Sequence, residues 1–176
     1  GQLSDEQKVK IDSLKRTISK AKSDTVVINA LKAWDNIIYL ADKDLDLKLN
    51  LRIDSIATVN LRKKNSAAEQ DFYLKAKGGS NMNIGLFYND RGKNAIALEY
   101  LNASLKAKKK RQDDKGVART LNNIGSIYHE QGILDKAIEY YMEALKIHER
   151  LGNRRGIGGA LNNLAIIHRY AENYNI

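Results

Sequence analysis

An all-α fold is what this chain predicts, and three observations carry it. The 176 residues contain no proline, so nothing interrupts a helix by removing a backbone donor. Apolar residues return at intervals of three and four, as one buried stripe of a helix requires. The chain also matches itself when slid by forty residues; such a period marks an array of small units that bury their apolar faces by stacking on one another.

The bulk composition narrows the class. With 43% hydrophobic and 29% charged residues the chain can bury a core, and no apolar run approaches the roughly 18–20 residues that cross a bilayer. The absence of cysteine excludes disulfides, thiol catalysis and Cys-ligated zinc. The net charge of +9 is uneven: ten basic residues face nine acidic ones in 1–60, fourteen face six in 61–120, and six face six thereafter. Gly1 stands where a translated chain has Met, so an upstream segment and an exported, periplasmic setting are the expectation.

Taken in order, residues 3–22 predict an N-terminal cap helix with Ile11, Leu14 and Ile18 on one stripe. Residues 25–64 predict a degenerate helical pair. Ser23 or Asp24 caps a helix carrying Val27, Leu31, Trp34 and Ile38, with Ile28 and Ile37 widening the face. The stretch after Asp44 is ambiguous, because Leu45, Leu47, Leu49, Leu51 and Ile53 alternate as in a strand. A strand would have no partner in this chain, and a helix is the reading adopted.

From residue 65 the units become regular: 65–116, 117–156, and 157–176 as the first helix of a truncated further unit. Ile84, Ile124 and Leu164 fall into register; so do Gly85, Gly125 and Ala165, and Tyr88, Tyr128 and His168. Gly92 matches Gly132, Ala97 matches Ala137, and Tyr100 matches Tyr140. Within 117–156, Leu121, Ile124, Gly125 and Tyr128 form the stripe of a first helix that Gly132 ends with a positive φ. Asp135 then opens a second helix with Ala137, Ile138, Tyr141, Ala144, Leu145 and His148 on its stripe. Gly125 and Ala137 are expected to face one another across the hairpin. Gly78 and Gly79 recur as Gly158 and Gly159 and read as small residues at a tight helix start. The last residues, AENYNI, read as the turn after a first helix, which leaves the Leu164 end open for self-association.

Leu121, Ile124, Gly125, Tyr128, Gly132, Ala137, Tyr141 and Ala144, in that order and spacing, resemble the tetratricopeptide repeat family. The likeness extends to 78–116, where Asn81, Leu101 and Ser104 depart from the pattern, and to 157–176, where His168 replaces Tyr and Glu172 replaces Gly. The resemblance implies a right-handed superhelical solenoid whose first helices line a concave groove. It also implies a protein- or peptide-binding module; no nucleophile elbow, phosphate-binding glycine loop or dinucleotide fingerprint is present, so an enzyme, a cofactor or a metal is not expected. Members that clamp a C-terminal carboxylate use Lys, Asn, Asn, Lys and Arg at places held here by Met82, Leu86, Asn123, Gly159 and Asn163; one of five matches, which disfavours that ligand. The opening helices followed by forty-residue repeats are similar to the sensory regions of bacterial regulatory proteins. A phosphatase-type regulator of response regulators stays open as an alternative.

Two candidate binding surfaces follow. The groove candidate comprises Asn83 and Leu86 in the first copy, Arg119, Asn122, Asn123, Ser126 and His129 in the second, and Asn162, Asn163, Ile166 and Arg169 in the third. Asparagine is a poor helix-interior residue, and its return at 83, 123 and 163 fits a ladder of amides. Either the ladder hydrogen-bonds the backbone of an extended peptide, or each amide satisfies its neighbour. The second surface is basic: Arg62, Lys63 and Lys64, then Lys106, Lys108, Lys109, Lys110 and Arg111. These cations sit at the ends of second helices, solvated and complementing the helix dipole, and could meet an acidic partner or an anionic surface. Nucleic acid is disfavoured because no aromatics interleave with them. Of the histidines, His168 reads as a packing substitute and His129 and His148 as surface residues; none has metal-ligand spacing.

Overall fold

A computed structural model describes residues 2–174, and among them the chain is a run of eight helices. Helix α1 (Asp5–Lys20) precedes the pair α2 (Asp24–Ile38) and α3 (Lys43–Asn60). The repeats follow as α4 (Ala67–Asn89), α5 (Asn94–Lys110), α6 (Asp114–Glu130), α7 (Leu134–Arg150) and α8 (Arg154–Tyr174). Each helix packs on its sequence neighbours, and α6 also touches α4 and α8. That topology is a solenoid in which alternate helices stand side by side as one layer.

Local chemistry sets the boundaries. Ser4 and Ser66 start α1 and α4 with reciprocal capping boxes to Gln7 and Glu69, and the Asp42 carboxylate caps α3 by accepting from the Leu45 amide at 2.9 Å. Helices α4 to α7 all end alike: the backbone N–H of residues 93, 113, 133 and 153 reaches back to the carbonyl five residues earlier, closing a left-handed turn. The positive-φ residue is Gly92, Gly132 or Gly152 in three of these turns and Gln112, at 58°, in the fourth.

The ambiguous stretch after Asp44 is helical. Its buried positions are Asp46, Leu49, Asn50, Ile53, Ala57 and Asn60, a helical stripe in which three places are polar. The leucine alternation was therefore a by-product of missing apolar residues on the buried face. A second departure concerns Gly78 and Gly79: α4 runs through both without a break, so they do not mark a helix start. A Cβ on Gly78 would lie 3.1 Å from the Lys108 side chain, and its carbonyl accepts from Ser104 Oγ at 2.7 Å; this glycine lets α5 approach.

Gly125 faces Tyr141 rather than Ala137 across the α6–α7 hairpin, and a Cβ there would meet the ring at 2.8 Å. In the preceding hairpin Gly85 faces Leu101 at the same register, again at 2.8 Å. Stacked tyrosines close both hairpins: Tyr88 on Tyr100 at 5.9 Å and Tyr128 on Tyr140 at 5.5 Å between ring centroids. His168 occupies the register of Tyr88 and Tyr128 but is exposed, contrary to its expected packing role, because no helix follows α8 among the described residues to stack on it. Residues 171–174 continue α8, not a turn; the sequence has Glu172 where Gly132 ends α6. The expectation for Asn175 and Ile176 lies outside the described residues.

Candidate functional site

The layer formed by α4, α6 and α8, with α2 beside α4, carries the groove candidates. Successive depressions lie along it: about 250 Å³ between α2 and α4, about 270 Å³ across α2, α4 and α6, and about 730 Å³ between α6 and α8. Asn83 borders the first two and Arg119 the last two.

The amide ladder is present as a row, but its members are not equivalent. Asn83 is exposed and donates from Nδ2 to Asn50 Oδ1 at 3.2 Å. Asn123 and Asn163 are half-buried and have no hydrogen-bond partner among the described residues. No bond joins successive amides there, so the neighbour-to-neighbour reading of the ladder is not what the molecule does. Asn122 is half-buried with an unpaired, buried Oδ1, and its counterpart Asn162 is exposed. Leu86, Arg119 and Arg169 are exposed, whereas His129 and Ile166 are half-buried. Ser126 is drawn away from the groove, since its Oγ lies 3.1 Å from Tyr141 Oη within the hairpin seam.

Beneath Asn83 lies a buried polar network that the sequence did not disclose. Asn50 Nδ2 donates to Asp35 Oδ1 at 2.9 Å and to Asp46 Oδ1 at 3.0 Å. Burial, together with the adjacent Asp46 carboxyl, pushes Asp35 up to about 8, against the opposing Asn50 hydrogen bond. Asp35 therefore holds its proton at neutral pH. A comparable device supports Asn81, which replaces a large apolar residue: its amide donates to the Lys77 carbonyl at 2.9 Å and to Asp54, and Asp54 in turn pairs with Lys77 Nζ at 2.7 Å.

The basic surface loses a member. Lys108 is not solvated at a helix end but 5% exposed, with Nζ donating to Thr120 Oγ1 at 2.9 Å beside Met82 Sδ at 3.6 Å. Position 108 faces the α4–α6 seam, while Lys106, Lys109 and Lys110 point outward. Arg111 is committed to Asp71 at 2.8 Å and Asp113 at 3.4 Å, Lys109 to Glu143 at 3.4 Å, and Lys63 donates to Asn60 Oδ1. Arg62 and Lys64 remain exposed.

His148, forty residues after Lys108, takes the same buried place and corrects its surface reading. It is 4% exposed, its Nδ1 lies 3.1 Å from Asn153 Nδ2, and its ring sits where a Cβ on Gly156 would go, 2.4 Å away. Burial lowers its pKa below the usual histidine value.

The forty-residue slide that aligned the asparagines also aligns Lys75, Lys115 and Arg155, a row that residue-type reasoning passed over because single surface cations are common. These three border the α2–α4–α6 and α6–α8 depressions. No helix among the described residues is long and apolar enough to cross a membrane.

Comparison with known proteins agrees with the helical-repeat fold. The Tetratricopeptide repeat family model matches residues 79–150 and 116–175. No curated protein matches the sequence. Among solved structures, the crystal structure of BtubC (BKLC) from P. vanneervenii is similar with a TM-score of 0.69 at 19% identity, covering 95% of this chain and 67% of that one. At that identity the likeness is one of fold.

Proposed function

We propose a binding role for this chain, which belongs to the tetratricopeptide repeat family: the layer of α4, α6 and α8 receives an extended segment of another protein. Repeats of this family generally mediate protein–protein interaction or scaffolding. The observation that carries the reading is the pair of half-buried amides, Asn123 and Asn163, one repeat apart on neighbouring helices of the layer and without a hydrogen-bond partner among the described residues. Each amide offers donor and acceptor together, which is what an extended backbone presents at every residue, so recognition needs no particular ligand side chain. The role is a non-catalytic one. The basic helix ends serve this purpose less well, with Lys108 buried and Arg111 already paired.

Partner capture followed by affinity measurement tests the reading. Asn123→Ala combined with Asn163→Ala is expected to weaken binding by about thirtyfold, on the order of 1 kcal/mol for each of the two lost hydrogen-bonding amides. Equal affinity with an unchanged circular-dichroism spectrum would count against the groove. We further propose that the chain is the ligand-receiving part of a larger bacterial regulatory protein working outside the cytoplasm, a reading supported by its opening helix pair and forty-residue period. The uncut reading frame tests this: an export signal before Gln2 and a membrane helix after Ile176 are expected, and a stop codon at 177 would sink it.

A further inference from the structure

The three helices of the binding layer contain long stretches without an acidic residue. Residues 72–89 of α4, 115–129 of α6 and 154–169 of α8 have no Asp or Glu, whereas α5 carries Glu99 and α7 carries Asp135, Glu139, Glu143 and Glu149. Within those stretches Lys75, Lys115, Arg119 and Arg155 are all exposed, and none makes an ion pair among the described residues. The carboxylates closest in sequence to Lys75, Lys115 and Arg119 are already committed. Asp71 pairs with Arg111, Asp114 pairs with Arg150 at 2.8 Å, and Asp113 accepts from the Gly116 amide while pairing with Arg111.

An isolated surface lysine needs no explanation, but this arrangement is periodic and shared between depressions. Lys75, Lys115 and Arg155 recur at one repeat, and Arg119 lines the depressions on both of its sides. The charge is also crowded rather than dispersed. Lys32 on α2 is lowered from its usual value by burial and then by Lys75, and Asp35, the acid beside it in the same depression, is held neutral.

We propose that the segment received by this layer is an acidic peptide, its carboxylates spaced to meet Lys75, Lys115 and Arg155 in turn with Arg119 between them. This rests on the groove reading above and specifies its ligand. Packed helix axes stand roughly 8–10 Å apart, which is about three residues of extended chain at ~3.3 Å each. The matching sequence therefore carries Asp or Glu at about every third position, with the amides of Asn123 and Asn163 left to hold the backbone.

The test uses a fluorescein-labelled Gly/Ser peptide with glutamate at every third position, its glutamine counterpart, and inorganic polyphosphate, measured by anisotropy. The glutamate peptide is expected to bind at least about tenfold more tightly than the glutamine peptide at about 50 mM salt, and to lose most of that difference at about 500 mM. Lys75→Gln, Lys115→Gln and Arg155→Gln together remove the preference. Arg62→Gln, Lys64→Gln and Lys110→Gln, an equal loss of charge at the basic helix ends, leave it within about twofold. All six side chains are exposed, so both variants keep the parent melting curve. Equal loss in the two triple variants overturns the proposal, as does polyphosphate binding at the rungs without binding of the glutamate peptide, or no binding of that peptide at all. If the glutamine peptide binds as tightly and Asn123→Ala weakens both, the acidic ligand falls while the groove stands. If the glutamate peptide needs the rungs but ignores Asn123 and Asn163, the amide recognition falls and the acidic ligand stands.

Discussion

Lys108 on α5 donates from Nζ to Thr120 Oγ1 on α6 at 2.9 Å, inside the layer rather than on its rim. A neutral hydroxyl is a weak partner for a buried ammonium. Burial first, then Arg119, with Asp113 opposing, lowers this amine to about 8.

Lys108→Met is accordingly expected to stabilise the protein by about 1–2 kcal/mol at pH 7, since Met82 already lies alongside and Thr120 Oγ1 still donates to the Gly116 carbonyl. The sign of the pH dependence follows from the lowered value. Between about 8 and the ordinary 10.5 the unfolded chain binds the extra proton, so wild-type stability rises with pH through that window. The advantage of the variant should shrink between pH 7 and pH 10 in urea titrations.

Asp35 gives the opposite slope. Its folded carboxyl keeps a proton up to about 8 while the unfolded one releases it near 3.8, so wild-type stability present at pH 4 is lost as pH rises towards 8. Asp35→Asn abolishes this loss and relieves the repulsion with Asp46. Its stability relative to wild type should increase by at least about 1 kcal/mol between pH 5 and pH 8; parallel pH profiles for the two proteins would contradict the buried carboxyl pair.

Two glycines of the binding layer predict opposite outcomes. Gly125→Ala places a Cβ at 2.8 Å from the buried Tyr141 ring and should cost about 1–3 kcal/mol through overpacking. Gly79→Ala meets nothing within 4 Å and should gain up to about 1 kcal/mol from helix propensity alone. Thermal melts of the two single variants suffice.

Gln112 holds φ at 58° in the turn where the next repeat uses Gly152. Gln112→Gly removes the Cβ strain of the left-handed region and should raise stability by about 0.5–1 kcal/mol, net of the greater freedom glycine brings to the unfolded chain. A lower melting temperature would mean that the exposed Gln112 side chain contributes more than its backbone strain costs.

The sites that misled sequence reading share a physical cause. In α3 the helical stripe was hidden because Asp46, Asn50 and Asn60 occupy buried places, and a polar residue looks external until its partners, Asp35 on α2 and Asp24 at the start of that helix, are packed against it. Lys108 was hidden by its neighbours: in KAKKKR every cation looks alike, yet only one points at α6. The signal was available in the register, since His148, forty residues on, lies on the apolar stripe of α7.

By itself the sequence determined the helices, their forty-residue pairing and the positive-φ turns at Gly92, Gly132 and Gly152, because periodicity, helix-ending glycine and capping act within a few residues of one another. It also determined that Asn83, Asn123 and Asn163 share a height. Only the tertiary structure decided that Asn83 bonds to Asn50, that Ser126 turns to Tyr141, that Lys108 is interior, and that Lys75, Lys115 and Arg155 face depressions with no acid among the described residues paired to them. Those outcomes depend on which surface a neighbouring helix covers, and the contacting residues lie 12 to 33 positions away, beyond the reach of any local pattern.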